Sequence, residues 1–333
     1  MTVQERIPAW RKFQVADSPA DVKWEPMLVP LPVPKEKSCW TYAIGGEGEN
    51  NVSVLEVEWN TDYQLALRND TNSLLGVMKS NYRPLFNYQV TRLCDYLIDK
   101  YEFTFESVTE FEGGATLFYT LNWPMGSWSV ADDTSNWLTY INLVNNHSGL
   151  RQFSVMPSAM RPACANVIRS WSHNAKQKDM FFARRHTQAI ENFDELTEDV
   201  SALVGKGLRA LMEMSNITQT LQASKPISTT EFMNRWLPTP EHPGQDADPE
   251  QMRSYRRRKT HVLNRRKKFL RVLEGPTAAG PNDNAYAVWQ AAIECDQHYF
   301  TTRGAESRAH RNITGGSELS DRALRIVGEL VAA

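Results

Sequence analysis

Long apolar runs are missing from this sequence. No stretch approaches the roughly 18 consecutive apolar residues that a membrane helix needs, so no membrane association is expected. Cysteine is scarce. Cys39, Cys94, Cys164 and Cys295 lie far apart and form no CxxC pair, which argues against a zinc knuckle and a disulfide scaffold. The opening residues, MTVQERIPAWRKF, hold no apolar segment of the secretory kind. A reducing cytoplasm is the expected setting. There is no P-loop and no Gly-x-Gly-x-x-Gly turn, which argues against a nucleotide-driven motor. No His-x-His or His-Glu-x-x-His spacing points to a metal, and no cofactor is expected. One further absence is local: between Gln251 and Leu273 there is no Asp or Glu.

That same segment holds ten Lys or Arg residues. The whole chain, 333 residues, has 37 basic and 39 acidic side chains and a formal charge of −2. Taking ten from 37 leaves 27 basic against 39 acidic residues elsewhere, so the remainder carries −12. A chain that concentrates positive charge in one segment offers it to something anionic. The 41% hydrophobic and 23% charged content is that of a globular protein, long enough for one large domain or two ordinary ones.

Three regions are expected. Residues 1–38 carry Pro8, Pro19, Pro26, Pro30, Pro32 and Pro34. Proline removes amide donors, so an extended arm rather than a sheet strand is expected there, anchored by Trp10 and Trp24. Residues 39–225 read as an α+β core. Val52–Glu58 and Tyr63–Leu67 alternate apolar and polar residues and read as a hairpin across Asn60–Asp62. Leu74–Met78, Phe103–Glu110, Thr116–Trp123 and Leu138–Asn145 are further strands, with a turn at Gly113-Gly114. Asn87 is placed as the cap of a helix reaching Asp99, with Val90, Leu93, Cys94 and Leu97 inward. Phe153 and Val155 alternate, and a short helix is expected over Ala163–His173. Ile190, Phe193, Leu196, Val200, Leu203, Val204, Leu208 and Leu211 describe a long amphipathic helix.

Residues 226–333 read as helical. Thr230–Trp236 forms a short helix with Ser228 or Thr229 as cap, followed by a loop over Pro238–Pro249. A helix through the basic segment would stripe Met252, Tyr255, Val262, Leu263, Phe269, Leu270 and Leu273. Gly275–Asn284 is a linker, and Tyr286–Tyr299 and Ser320–Val331 are the last helices. Strands first and helices afterwards make the fold α+β, with a mostly antiparallel sheet in the N-terminal half.

Several ordered blocks carry a resemblance. They are Arg68, Asp70, Leu75, Gly76 and Val77; Tyr82, Pro84 and Asn87; Asn145, His147 and Gly149; Arg161, Cys164 and Asn166; and Arg185, His186 and Thr187. This order resembles the phage/plasmid-like family filed as domain of unknown function 932. Glu294–His298, ECDQH, is similar to a variant of that family's Glu-Tyr-x-Asp-His helix, with Tyr286 and Gln290 standing where the family usually has Trp and Asn. The resemblance spans roughly residues 45–310. It implies a phage, prophage or plasmid context and settles no activity. A fainter similarity is to phage single-strand annealing proteins.

The chemistry is read against its alternatives. Single-stranded DNA binding needs cations along the backbone and π-faces for bases. Arg256, Arg257, Arg258, Lys259, Arg265, Arg266, Lys267 and Lys268 would supply the first, and Tyr255 and Phe269 the second. The alternative is a solvated helix face neutralised by acidic residues. Arg161, Arg169, Arg184 and Arg185, with Lys176 and Lys178 between, form a second candidate surface. Its alternative is pairing with carboxylates such as Asp132, Asp133 and Glu191. Cys164 with His186 would suit a thiol hydrolase, but a buried structural thiol is the simpler reading. Asp132-Asp133 with Glu110 or Glu112 would suit a magnesium-dependent nuclease, against an ordinary solvated loop. His147, His173, His186 and His298 lack metal-site spacing, and Trp128 and Trp137 are the tryptophans expected at the surface. The expected function is a non-enzymatic, multimeric protein that binds single-stranded DNA and promotes ATP-independent annealing. A metal-dependent nuclease is one alternative. A phage assembly or host-interaction protein is the other.

Overall fold

The computed structural model describes residues 9–34, 57–133, 135–169, 182–186, 193–300, 304–307 and 318–333. Antiparallel sheets fill the N-terminal half and helices the C-terminal half, so the fold is α+β. The strands are β1 (Gln14–Ala16), β2 (Pro26–Pro34), β3 (Val57–Arg68), β4 (Leu74–Lys79), β5 (Thr104–Phe111), β6 (Thr116–Asn122), β7 (Leu138–Asn146), β8 (Phe153–Arg161), β9 (Asn166–Arg169) and β10 (Phe182–Arg184). The helices are α1 (Asn87–Tyr101), α2 (Phe193–Gln222), α3 (Thr229–Trp236), α4 (Pro249–Leu273), α5 (Ala285–Glu294) and α6 (Glu318–Ala332).

The larger sheet runs β1-β5-β6-β7-β8 and then divides. One half of β8's outer edge takes β10 and the other takes β9. The step from β5 to β6 turns at Gly113-Gly114, both with positive φ, as the glycine pair requires. One core packs this sheet against α1, through Val90, Leu93, Cys94 and Leu97, and against α2, through Leu196, Val200, Leu203 and Val204. The second core gathers α3, α4, α5 and α6 around Trp236, Phe269 and Trp289. With 30 residues, α2 is about 45 Å long and contributes side chains to both cores.

The proline-rich segment departs from the expectation of an arm held out of any sheet. Residues 26–34 form β2, the edge strand of a three-stranded sheet β2-β3-β4. Pro26, Pro30, Pro32 and Pro34 occupy alternate positions. An edge strand tolerates this, because only every second amide serves its single neighbour. Trp24 does anchor the segment: it is buried, with the Arg68 guanidinium 4.3 Å above its ring.

Other local expectations also give way. Asn60–Asp62 makes no hairpin, because Val57–Arg68 is one strand whose register against β2 shifts at that point. Residues 52–56 lie outside the described residues. Phe86, not Asn87, is the cap position of α1, and Glu25 supplies the capping carboxylate from a distance. Its two oxygens accept the Asn87 and Tyr88 amides at 2.6 and 2.8 Å. The helix expected over Ala163–His173 is a turn followed by β9, since Ala165 sits at φ 54° and reverses the chain. Residues 170–173 lie outside the described residues. Trp137, expected at the surface, is wholly buried and stacks on Trp128 at 5.4 Å.

Candidate nucleic-acid interface

Helix α4 forms because its start is well specified. Asp248 caps it, accepting the Glu250 and Gln251 amides at 2.8 Å each, and Pro249 occupies the first turn. Its inner stripe is Tyr255, Val262, Phe269 and Leu273, with Val272 beside it. Leu263 is 42% exposed, outside that stripe, because it is one residue and hence about 100° from Val262.

The outer stripe is Arg253, Arg257, Thr260, Asn264, Lys267 and Arg271, all exposed. Arg256, Arg258 and Lys259 flank it and are exposed too. From Arg253 to Arg271 the stripe extends about 27 Å. None of Arg253, Arg256, Arg257, Arg258, Lys267 and Arg271 forms an ion pair with any described residue. Cations three and four residues apart repel one another along such a helix, and among the described residues no carboxylate pairs with these six to offset the cost.

The remaining α4 cations are engaged. Arg266 donates from Nε and Nη2 to the Leu237 carbonyl at 3.0 and 2.7 Å, tying α4 to the end of α3. Lys259 lies 5.5 Å from the Tyr255 ring. Arg265 lies over the Phe300 ring at 4.8 Å, and Lys268 over the Tyr299 ring at 3.6 Å.

The aromatic part of the expectation is corrected. Phe269 is wholly buried in the helical core and Tyr255 is buried with its ring against His242 at 4.9 Å, so neither is open to a base as expected. The rings beside the cations come instead from Tyr299 and Phe300, at the end of a π-helical turn over Cys295–Tyr299. Sequence reasoning placed Tyr299 on an ordinary helix. The neighbourhood of α4 was not legible in local spacing.

The second expected surface does not assemble. Arg161, at the end of β8, is 1% exposed. Its Nε and Nη2 donate to Asp133 Oδ2 and Oδ1 at 2.7 Å each, and Nη1 donates to the Thr277 carbonyl at 2.9 Å. Burial works against its charge, but the Asp133 carboxylate holds the guanidinium protonated. Arg161 is thus removed from any polyanion surface. Arg184 pairs with Glu195 at 2.5 Å and sits opposite Phe153, at the other end of β8. Eight residues of strand separate Phe153 from Arg161, or about 26 Å. Arg169 pairs with Ser158 in β9, Arg185 is exposed, and Lys176 and Lys178 lie outside the described residues.

The buried pair belongs to a wider network that the sequence did not disclose. Asp133 Oδ2 also accepts the Tyr286 hydroxyl at 2.6 Å, and Tyr286 in turn accepts the Trp137 indole N–H at 2.9 Å. Thr277 donates to Glu294 Oε2 at 2.6 Å. Asn166 donates to the Gln290 carbonyl at 3.0 Å. Sheet strands β7, β8 and β9 are thereby tied to α5.

The same geometry weighs on the enzymatic readings. Asp133 has both oxygens engaged by Arg161 and Tyr286. Glu110 is paired with Arg68 at the opposite end of the sheet. Among the described residues no three His, Cys, Asp or Glu converge as metal ligands would. Burial pushes the Cys164 thiol up to about 11, Arg161 offsetting part of the rise. His186 lies far from it, against Tyr82 at 5.2 Å. Burial lowers His147 to about 3, with His186 contributing, and lowers His186 to about 4. His147 and Asn145 both meet the Asn87 side chain, at 2.8 and 3.3 Å. The motif residues Asn87, Asn145 and His147 therefore form an interior brace between α1 and β7.

The profile of a family described as "Domain of unknown function (DUF932)" matches residues 74–314. Comparison with curated proteins and with solved structures gives no match. No described helix is long and apolar enough to cross a membrane.

Proposed function

The chain belongs to the DUF932 family, whose description names no activity, and from the chemistry of α4 we propose that it binds single-stranded DNA and promotes ATP-independent annealing in a phage or plasmid setting. The observation that carries this reading is the outer stripe of α4. It runs about 27 Å and carries the exposed cations Arg253, Arg257, Lys267 and Arg271, flanked by Arg256 and Arg258, that no described carboxylate neutralises. A polyphosphate lying along it releases counterions and relieves the repulsion within the helix. Two strands held with neutralised backbones pair without a motor, because duplex stacking supplies the free energy.

Self-association is part of the same proposal. The outer face of the three-stranded sheet carries two cross-strand rows, Met27–Leu67–Leu74 and Val29–Leu65–Val77. Leu74 and Val77 are 59% and 53% exposed, an aliphatic face that a second copy of the chain would cover. Light scattering should report a multimer in the absence of DNA, and Val77→Glu should shift it toward the monomer. A strict monomer removes this part of the proposal.

The test of the main reading is a titration of labelled oligonucleotide at several salt concentrations. With about six phosphate contacts, affinity should fall about 300-fold between 50 and 200 mM salt. Replacing Arg256, Arg257 and Arg258 by Ala should lower the log–log slope by about two. A salt-independent response, or none at all, sinks the reading.

A further inference from the structure

Cations alone suit any phosphate backbone, but the middle of the α4 stripe carries other groups. Between Arg257 and Lys267 it presents Thr260 and Asn264, flanked by His261 and Leu263, and all four are exposed. Among the described residues, none exchanges a hydrogen bond with the side chain of Thr260, His261 or Asn264. At about 100° per residue, Arg253, Arg257, Thr260, Asn264, Lys267 and Arg271 fall within about 80° of one another around the helix. Two cationic ends thus flank an uncharged, hydrogen-bonding centre on one face. Arg253, Arg256 and Arg257 form one end, and Lys267 and Arg271 the other.

The helix also stands where a groove can receive it. Arg256 through His261 are six consecutive exposed residues. At about 100° per residue they pass all the way round the axis, so every side of this segment meets solvent. Tyr255, against His242, and Phe269, in the helical core, hold the segment from its two ends. An α-helix is about 10–12 Å across, and the major groove of duplex DNA is about 12 Å wide. Arg257 and Lys267 lie about 15 Å apart along the axis, enough for the two cationic ends to meet phosphates on opposite walls of that groove. Their charge matches those walls, since residues 251–273 hold no Asp or Glu.

We propose that α4 enters the major groove of duplex DNA, with Arg253, Arg257, Lys267 and Arg271 on the phosphates and Asn264 and Thr260 on base edges. This rests on the reading of α4 as a polyanion-binding helix and names the duplex, the product of annealing, as a second ligand of the same stripe. Phosphate contacts position the helix, and the two uncharged side chains add a base preference. Asparagine pairs with the N6 and N7 atoms of adenine, and the threonine methyl packs on that of thymine.

The full-length protein first selects from a pool of random duplexes. The enriched duplex is then titrated beside the same duplex with 7-deazaadenine for adenine, and beside a single strand of equal length. Adenine should recur at a fixed position of the enriched duplexes, and loss of its N7 should weaken binding about tenfold. Asn264→Ala should lose about that factor on the enriched duplex and no longer respond to 7-deazaadenine. It should keep its single-strand affinity and its salt slope, because no charge is removed. If no duplex is enriched, if single strands alone bind, or if Asn264→Ala weakens duplex and single strand alike, the groove assignment is refuted while the cation stripe stands. If neither duplex nor single strand binds, the reading of α4 fails and the groove assignment fails with it.

Discussion

Arg161 and Asp133 form a two-pronged ion pair sealed from solvent, with side chains 1% and 0% exposed. Removing either partner leaves the other charge buried and uncompensated. Arg161→Met or Asp133→Leu alone should cost about 3–5 kcal/mol, read by urea unfolding, whereas the double replacement should cost much less than their sum. Additive losses would show that the two groups are not coupled. A folded Arg161→Lys variant should keep its oligonucleotide affinity, because position 161 faces the interior.

Acid should destabilise the fold through the imidazoles. His147 and His186 are held at about 3 and about 4, below the ordinary 6.5. Between those values the unfolded chain binds more protons than the folded one, so stability falls as pH drops from about 6.5 toward about 4. Each group approaches a slope of about 1.4 kcal/mol per pH unit. Glu25, whose carboxyl is raised by burial from 4.5, acts in the opposite sense, losing stability as pH rises above 4.5. Denaturation midpoints measured from pH 7 to 5 check the first slope. His186→Gln should flatten it, and an unchanged profile would contradict a neutral buried imidazole.

Two glycines of α2 should respond oppositely. A Cβ at Gly207 would stand 2.9 Å from Pro157 Cγ, on the rigid ring where the helix crosses β8. Gly207→Val should cost about 1–3 kcal/mol by overpacking. A Cβ at Gly205 would meet nothing within 4 Å among the described residues outside its own helix backbone, so Gly205→Ala should stabilise by about 1 kcal/mol. Thermal or urea melts of the two variants test the packing of α2 on the sheet directly.

Stability and binding should diverge on α4. Lys267→Glu places a carboxylate four residues before Arg271 and removes one repulsion. The variant should melt at or slightly above the wild-type temperature while binding oligonucleotides more weakly. If α4 is merely a solvated face, the stability gain appears without any loss of binding.

Short-range pattern settled much of the architecture. Three- and four-residue apolar spacing marks α2, and alternation marks Tyr63–Leu67 in β3 and Phe153 and Val155 in β8, because these periods reflect which side chains share a face of one element. The capping chemistry of α4 is local in the same way: Asp248, Pro249 and Gln251 act within one turn. The prolines of β2 misled because their effect depends on whether the strand has one neighbour or two. Ala165 misled because nothing in its neighbours' spacing shows a reversal of the chain.

The candidate site divides along the same line. That positive charge gathers in one late segment is a property of the chain itself, since folding does not change which side chains residues 251–273 carry. Which cations stay open, and which ring stands beside them, was decided by tertiary structure. Arg161 looks from its neighbours like any surface arginine, yet a partner 28 residues earlier buries it. Tyr255 has the right spacing for a stacking residue and turns inward, while Tyr299, 44 positions away in the chain, comes to lie against Lys268. Charge is additive and survives any rearrangement of the chain, whereas exposure and pairing depend on which distant surface packs against each residue.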